Sequence, residues 1–224
     1  MSESDFKLMI PGPVSVSPEV LQAISQPVVP HYGEDFIKFH QETLSLLKSV
    51  LKTKQDIFLF VGSGTAGIDA CVGSSLATGE KIIVGSNGFF GDRLIWIAEG
   101  NGLEVVPIRA PLGFALNPTD FVEAVQQHPD AKAILVVRLE TSTTIINPIQ
   151  DISKIAEQNG LLMLVDAVSS ICGVPFEFDE WGIDLVATSI NKCLGAPPGL
   201  SPIAISQKAW KVIDQKPIKN HGWY

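Results

Sequence analysis

From residue 56 onward the chain alternates short, nearly continuous apolar runs with helical spacers, and few folds accept that pattern. The runs are Ile57–Val61, Lys81–Gly85, Glu104–Ile108, Ala133–Arg138, Leu161–Val165, Leu185–Ser189 and Pro202–Ile205. Between them, Thr65–Ser75, Asp92–Gly100, Asn117–His128, Asp151–Asn159 and Gln207–Asp214 space their apolar residues as helices do. A strand that is apolar on both faces has to be covered on both faces, which is the condition of a parallel sheet between two helical layers. The expectation is an α/β fold with three layers, α/β/α, around a mostly parallel seven-stranded sheet. In such sheets ligands bind beyond the carboxyl ends of the strands.

Upstream, residues 8–18 hold three prolines and a glycine and are expected to form a rigid extended arm. Ser17-Pro18-Glu19 opens a helix, with serine as N-cap, proline in the first turn and glutamate near the positive end. Pro27 and Pro30 end it, His31-Tyr32-Gly33 turns the chain, and residues 34–52 form a long helix with an apolar stripe. Residues 1–52 thus read as an arm with helices and residues 53–224 as one domain, with no repeat or flexible linker.

The bulk properties narrow the function. At 224 residues and 46% hydrophobic content the chain can bury a full core. Its net charge of −8, with no basic cluster, argues against nucleic acid. No apolar run approaches the roughly 20 residues needed to span a bilayer, and the polar, acidic Met1-Ser2-Glu3-Ser4-Asp5 start lacks the character of a signal peptide. Cys71, Cys172 and Cys193 are expected to be buried free thiols in a reducing compartment; Cys193, beside Lys192, has a reactive thiol as its alternative. A cytoplasmic protein is expected.

Two runs carry the chemistry. Leu185–Ser189 leads into Ile190-Asn191-Lys192-Cys193-Leu194-Gly195-Ala196-Pro197-Pro198-Gly199, so an apolar run delivers one lysine into a loop of small residues. A lysine at a sheet edge, partly desolvated and near other cations, can lose its proton and attack a carbonyl. Taken alone it reads as a solvated loop residue, and the upstream run ending on a carboxylate is what overturns that reading. Leu161–Val165 ends on Asp166, a carboxylate closing an otherwise apolar strand. Buried carboxylates need a partner. A protonated pyridine nitrogen is one, and a helix N-cap role is the alternative. Phe60-Val61-Gly62-Ser63-Gly64-Thr65-Ala66-Gly67 is a strand, a glycine-rich turn and a helix start, suited to an anion or simply a strand–helix turn. In Ser86-Asn87-Gly88-Phe89-Phe90-Gly91, Phe89 is expected in the core. Phe90 is placed to stack on a heteroaromatic ring or to close the core. The hydroxyl-rich Glu140-Thr141-Ser142-Thr143-Thr144 follows another strand, as a ligand contact or a turn.

In this order, Gly-Ser-Gly-Thr, Asn-Gly-Phe-Phe-Gly, Glu-Thr-Ser-Thr, Val-Asp-Ala-Val-Ser-Ser and Ser-Ile-Asn-Lys-Cys-Leu-Gly-Ala-Pro-Pro-Gly resemble the class V aminotransferases of pyridoxal phosphate fold type I. The alanine/serine–glyoxylate group is the most similar, and Pro11-Gly12-Pro13-Val14 matches as well. The resemblance implies a pyridoxal 5'-phosphate enzyme that moves an amino group from a small amino acid to a 2-oxo acid such as glyoxylate or pyruvate, as a homodimer and without metal. It implies that Lys192 holds the cofactor covalently and later carries a proton, that Asp166 pairs with the ring nitrogen, and that Val168 and Phe90 pack on the ring. Ser63, Gly64, Thr65 and Asn191 would bind the phosphate, Thr141 would contact the hydroxyl side of the ring, and Gly12 would line the substrate entrance. Arg138, commonly histidine in the family, would stand near the cofactor, and Thr144 replaces a common glycine. Family members continue beyond Trp223-Tyr224 into a small C-terminal domain. The chain is therefore expected to be the large domain alone, and the alternative reading is a catalytically impaired cofactor-binding or assembly subunit.

Overall fold

A computed structural model describes residues 8–216, which leaves the Met1–Asp5 start and the Trp223-Tyr224 end outside the described residues. The arm is irregular up to Ser17, whose hydroxyl accepts from the Val20 amide and caps α1 (Pro18–Ile24). This helix stops at Ser25, two residues short of Pro27. The second helix, α2 (Glu34–Leu51), spans the expected segment and buries Leu51, with Leu44, Leu47 and Val50 packed against the core.

The seven-stranded sheet is built from β1 (Asp56–Val61), β2 (Lys81–Ser86), β3 (Glu104–Arg109), β4 (Ala133–Val137), β7 (Leu162–Asp166), β8 (Leu185–Ala187) and β9 (Leu200–Ile205). Its order is β1-β9-β8-β7-β4-β2-β3. Every pairing from β8 to β3 is parallel, and β9 alone runs opposite, antiparallel to both β8 and β1. The carboxyl ends of β1, β2, β4, β7 and β8 therefore share one edge. The expected fold class holds, with strand limits displaced by up to two residues. A two-stranded hairpin, β5 (Leu139–Glu140) with β6 (Ile145–Ile146), interrupts the segment after β4 and was not foreseen.

Each central strand divides its side chains between two cores, as the two-residue period of a strand requires. Ile83, Ile134, Val136, Met163, Val165 and Val186 face one layer with α2, α5 (Pro118–Gln127) and α6 (Ile149–Gln158). Ile82, Val84, Leu135, Leu162, Leu164 and Leu185 face the other, with α3 (Gly64–Ser75), α4 (Phe89–Gly100) and α7 (Gln207–Gln215). Burial on both faces is why these runs read as continuous hydrophobic stretches.

Two carboxylates inside this frame are fully used. Asp184, 3% exposed just before β8, accepts from the Met163 amide (2.9 Å), Ser206 Oγ (2.7 Å) and Lys208 Nζ (3.0 Å), tying β7 and β8 to the start of α7. Glu140, wholly buried, accepts from the Gly91 amide (2.9 Å) and from both the amide (2.9 Å) and the hydroxyl (2.6 Å) of Ser142.

Close approach of α3 to the sheet depends on glycine. A Cβ at Gly67 would lie 2.1 Å from Ser201 Oγ, which is buried and held by its 2.6 Å bond to the Thr188 carbonyl. At Gly100, the last residue of α4, an added Cβ meets nothing within 4 Å. Gly67→Ala is expected to destabilise the chain by about 1–3 kcal/mol through overpacking. Gly100→Ala is expected to leave stability unchanged or raise it by about 0.5 kcal/mol. Urea denaturation of the two variants checks the opposite signs.

Candidate active site

The carboxyl edge of the sheet gathers the residues singled out in the sequence. Asp166 is the last residue of β7, paired with Val137 on β4 and Ala187 on β8. It is 7% exposed, and Oδ1 accepts one hydrogen bond, from the Val168 amide at 2.9 Å. That bond sits at the start of a turn and no helix follows before β8, so the helix N-cap alternative does not hold. Among the described residues no other donor reaches this carboxylate. Asp184 and Glu140 each receive three bonds, which leaves Asp166 as the under-bonded acid of the three. Burial pushes its pKa up from 3.8 to about 6; the Val168 amide opposes this, the Glu140 carboxylate adds to it, and the Arg93 and Lys192 cations pull it back.

Lys192 lies in the loop after β8, half-buried, and its ammonium is close enough to stabilise the Asp166 charge. The N-terminal arm crosses it. Lys192 Nζ donates to the Pro11 carbonyl at 3.3 Å, and the Val14 amide donates to the Asn191 carbonyl at 3.2 Å. A Cβ at Gly12 would stand 2.6 Å from Lys192 Cδ, so glycine is what lets the arm lie over the lysine. Asn191 itself accepts from Ser189 Oγ through its side-chain oxygen.

On the other side stands the turn between β1 and α3. Ser63 is the N-cap of α3, its hydroxyl accepting from the Ala66 amide at 3.3 Å. A Cβ at Gly64 would collide with Val168 Cγ2, so this turn packs directly on the second residue after the Asp166 strand. Thr65 Oγ1 accepts from Arg93 Nη1 at 3.2 Å. Thr141 Oγ1 lies 2.7 Å from Ser169 Oγ, linking the hairpin turn to the turn after Asp166.

Four expectations are corrected. Phe89 is not in the core: it is the first residue of α4, 48% exposed, and packs edge-on against Phe90 (5.4 Å) and Trp96 (6.0 Å). Phe90 is the one that packs against the core. Arg138 turns away from Asp166. Its backbone amide bonds to the Asp166 carbonyl, while its guanidinium stacks on Trp181 at 5.0 Å and donates to the carbonyls of Asn147 and Pro175. Of the three thiols only Cys71 is buried; Cys172 and Cys193 are exposed. Finally, α4 begins three residues before the expected Asp92, because Glu140 and Ser142 hold its first amides.

Two contributors escaped the sequence reading. Arg93 sits 5.0 Å from the ring centroids of both Phe89 and Phe90 while reaching Thr65, so one guanidinium joins the aromatic loop to the turn at Ser63–Thr65. Glu140 fixes the start of α4 and hence Phe90. Neither has a local signal: Arg93 reads as a helix surface residue and Glu140 as part of a polar turn. At Thr144 the φ of +58° is a left-handed conformation, the physical reason for glycine in that place.

Because the folded pKa of Asp166 lies above its unfolded value, its ionisation opposes folding. The folded chain retains a proton that the unfolded chain has lost between pH 4 and 6, so this contribution to stability falls as pH rises through that window. Asp166→Asn keeps an oxygen for the Val168 amide and removes the charge. Its stability relative to wild type is expected to rise from pH 4 to 6 and to level at a gain of up to about 3 kcal/mol. Urea denaturation across that range checks this; a flat or opposite difference contradicts the burial of a charged Asp166.

The sequence profile of the family Aminotransferase class-V matches residues 18–222. An uncharacterized aminotransferase of Methanocaldococcus jannaschii is 38% identical over 212 residues, covering 95% of this chain and 55% of the relative. The small subunit of a soluble hydrogenase of a Synechococcus species is 35% identical over 207 residues, covering 91% and 54%. The crystal structure of alanine–glyoxylate aminotransferase from a Nostoc species superposes with a TM-score of 0.92 at 30% identity, covering all of this chain and 62% of that one. The chain spans about half the length of the curated relatives it matches. With a match over nearly its whole length, and with the sheet and the edge residues described above, the chain belongs to the class V aminotransferase family.

Proposed function

We propose that the described residues build the pyridoxal 5'-phosphate site of an aminotransferase that uses a small amino acid and a 2-oxo acid. The observation that carries this is the buried, under-bonded Asp166 at the end of β7, with Lys192 in the loop after neighbouring β8 close enough for its cation to act on that charge. The residues suit the cofactor. A carboxylate with an oxygen that receives no hydrogen bond fits a protonated ring nitrogen. The small-residue turn at Ser63, Gly64 and Thr65, at the start of α3 and with Arg93 beside it, fits a phosphate. When bound, pyridoxal phosphate supplies an electron sink for the bonds at the substrate Cα.

Each residue then has a task. Asp166 keeps a proton on the ring nitrogen by its negative charge. Lys192 would hold the cofactor through Nζ and would serve as the general base and acid for the substrate Cα proton. Val168 and Phe90 would pack against the ring. Ser63, Gly64, Thr65 and Asn191 hold the phosphate, Thr141 offers its hydroxyl to the ring oxygen, and Gly12 lines the entrance. Residues 53–224 act as the cofactor-binding large domain, with 1–52 as arm and helices against it.

For the substrates, the Nostoc protein is named for alanine and glyoxylate, and alanine or serine as donor with glyoxylate or pyruvate as acceptor follows as our reading. We also infer a homodimer in the cytoplasm. Exposed Leu21, Ile24, Val28, Val29 and Phe39, with a cavity of about 450 Å³ lined by Val29, Tyr32, Phe36 and Phe39, offer an apolar surface for a second subunit. No helix among the described residues is long and apolar enough to cross a membrane.

A second reading rests on the likeness to the small subunit of a soluble hydrogenase: a chain of the same fold that binds the cofactor or assembles with a partner without turning over. Amino transfer from alanine or serine to glyoxylate, followed with added pyridoxal phosphate, separates the two. Turnover that falls at least about 1,000-fold in Lys192→Ala supports the enzyme reading. Cofactor retention without turnover selects the second, and wild-type turnover in Lys192→Ala overturns the role of Lys192.

A further inference from the structure

Cys172 and Cys193 remain outside the functions assigned above, and their surroundings are unusual. The two are 21 positions apart in sequence yet lie on neighbouring turns at the carboxyl edge of the sheet. Cys193 directly follows Lys192, and its Sγ reaches the Ser169 carbonyl at 3.8 Å. The turn that carries Cys172 lies against that sulfur: a Cβ added at the next residue, Gly173, would stand 2.9 Å from Cys193 Sγ. Both thiols are exposed, whereas Cys71 is buried and its thiol is pushed up to about 12. Cys172 also has a φ of +65°, a left-handed backbone that a side chain rarely adopts and that tends to persist where the surroundings hold it in place. Burial first, and then the charge of Cys193, raise the pKa of the Cys172 thiol, so the two sulfurs sense each other.

We propose that Cys172 and Cys193 form a redox-active dithiol that closes to an intramolecular disulfide, tying the turn after Asp166 to the loop that carries Lys192. The oxidant is a low-molecular-weight disulfide of the glutathione class. The exposed Cys193 attacks first: its thiolate forms a bond to one sulfur, the small S–S bond breaks, and one small thiol leaves with the proton. Cys172 resolves the mixed disulfide from within the molecule, displacing the second small thiol. Two cysteine thiols are oxidised and one small disulfide is reduced to two thiols. The closed form pins the backbone beside Lys192 to the strand end that carries Asp166. The inference stands on the two cysteines alone and does not depend on the cofactor reading.

The test equilibrates the chain at pH 8 with mixtures of reduced and oxidised glutathione, in buffer and in concentrated urea. Acid quenching, alkylation and peptide mass mapping follow. The expected result is a Cys172–Cys193 linked peptide, two hydrogens lighter than its parts, formed at least about tenfold more readily in buffer than in urea. Cys172→Gly, which also suits the left-handed backbone, is expected to give only a glutathione adduct on Cys193. Separate adducts on the two cysteines without a link in the wild-type chain, or equal linkage in buffer and urea, would overturn the proposal.

Discussion

The interaction on which the candidate site depends is the single hydrogen bond from the Val168 amide to the buried Asp166 carboxylate. A charge this well removed from water is costly unless it is compensated. The fold places it at the end of a central strand with neighbours on both sides and supplies one amide. Asp184 and Glu140, buried to a similar degree, are saturated with donors and act as rivets. Asp166 keeps an oxygen unbonded and answers to two cations at longer range. The contrast among three buried acids separates two carboxylates saturated by the fold from one that is not.

The surroundings of Asp166 are arranged by small residues that let backbone segments touch. Gly64 brings the turn before α3 onto Val168, and Gly12 brings the arm onto Lys192. A Cβ at Gly88 would strike Glu140 Cγ at 2.5 Å, and Glu140 in turn fixes the first turn of α4 and the ring of Phe90. Arg93 closes the circuit by contacting Phe90 and Thr65 together. Five chain segments, distant in sequence, thus converge on the end of β7, and a shift in any of them would be felt by the others.

Most of the sheet could be read from the sequence because its central strands are buried on both faces, which leaves a continuous apolar signature in Ile82–Val84, Ala133–Val137 and Leu162–Val165. Lys192 and Asp166 stood out for the same reason: each interrupts such a run. What escaped notice depends on contacts between distant residues. The start of α4 carries no side-chain cap of its own, since Gly88 stands at the N-cap and its amides are met by Glu140 and Ser142 some fifty residues later. No local pattern records that, so the sequence alone points to a later helix start and a buried Phe89. The β5–β6 hairpin is two residues long on each side and offers no period to detect. Arg138 neighbours the Asp166 strand through its backbone, yet its side chain leaves toward Trp181, a direction that only the packed loop at 175–181 reveals.

The most direct measurement is an absorbance spectrum of the 224-residue chain with added pyridoxal phosphate, followed by borohydride reduction and peptide mapping. The account predicts a visible band that reduction abolishes, leaving the pyridoxyl label on Lys192 alone. A label spread over surface lysines, or no stable label, would contradict the claim that the carboxyl ends of β7 and β8 build the cofactor site.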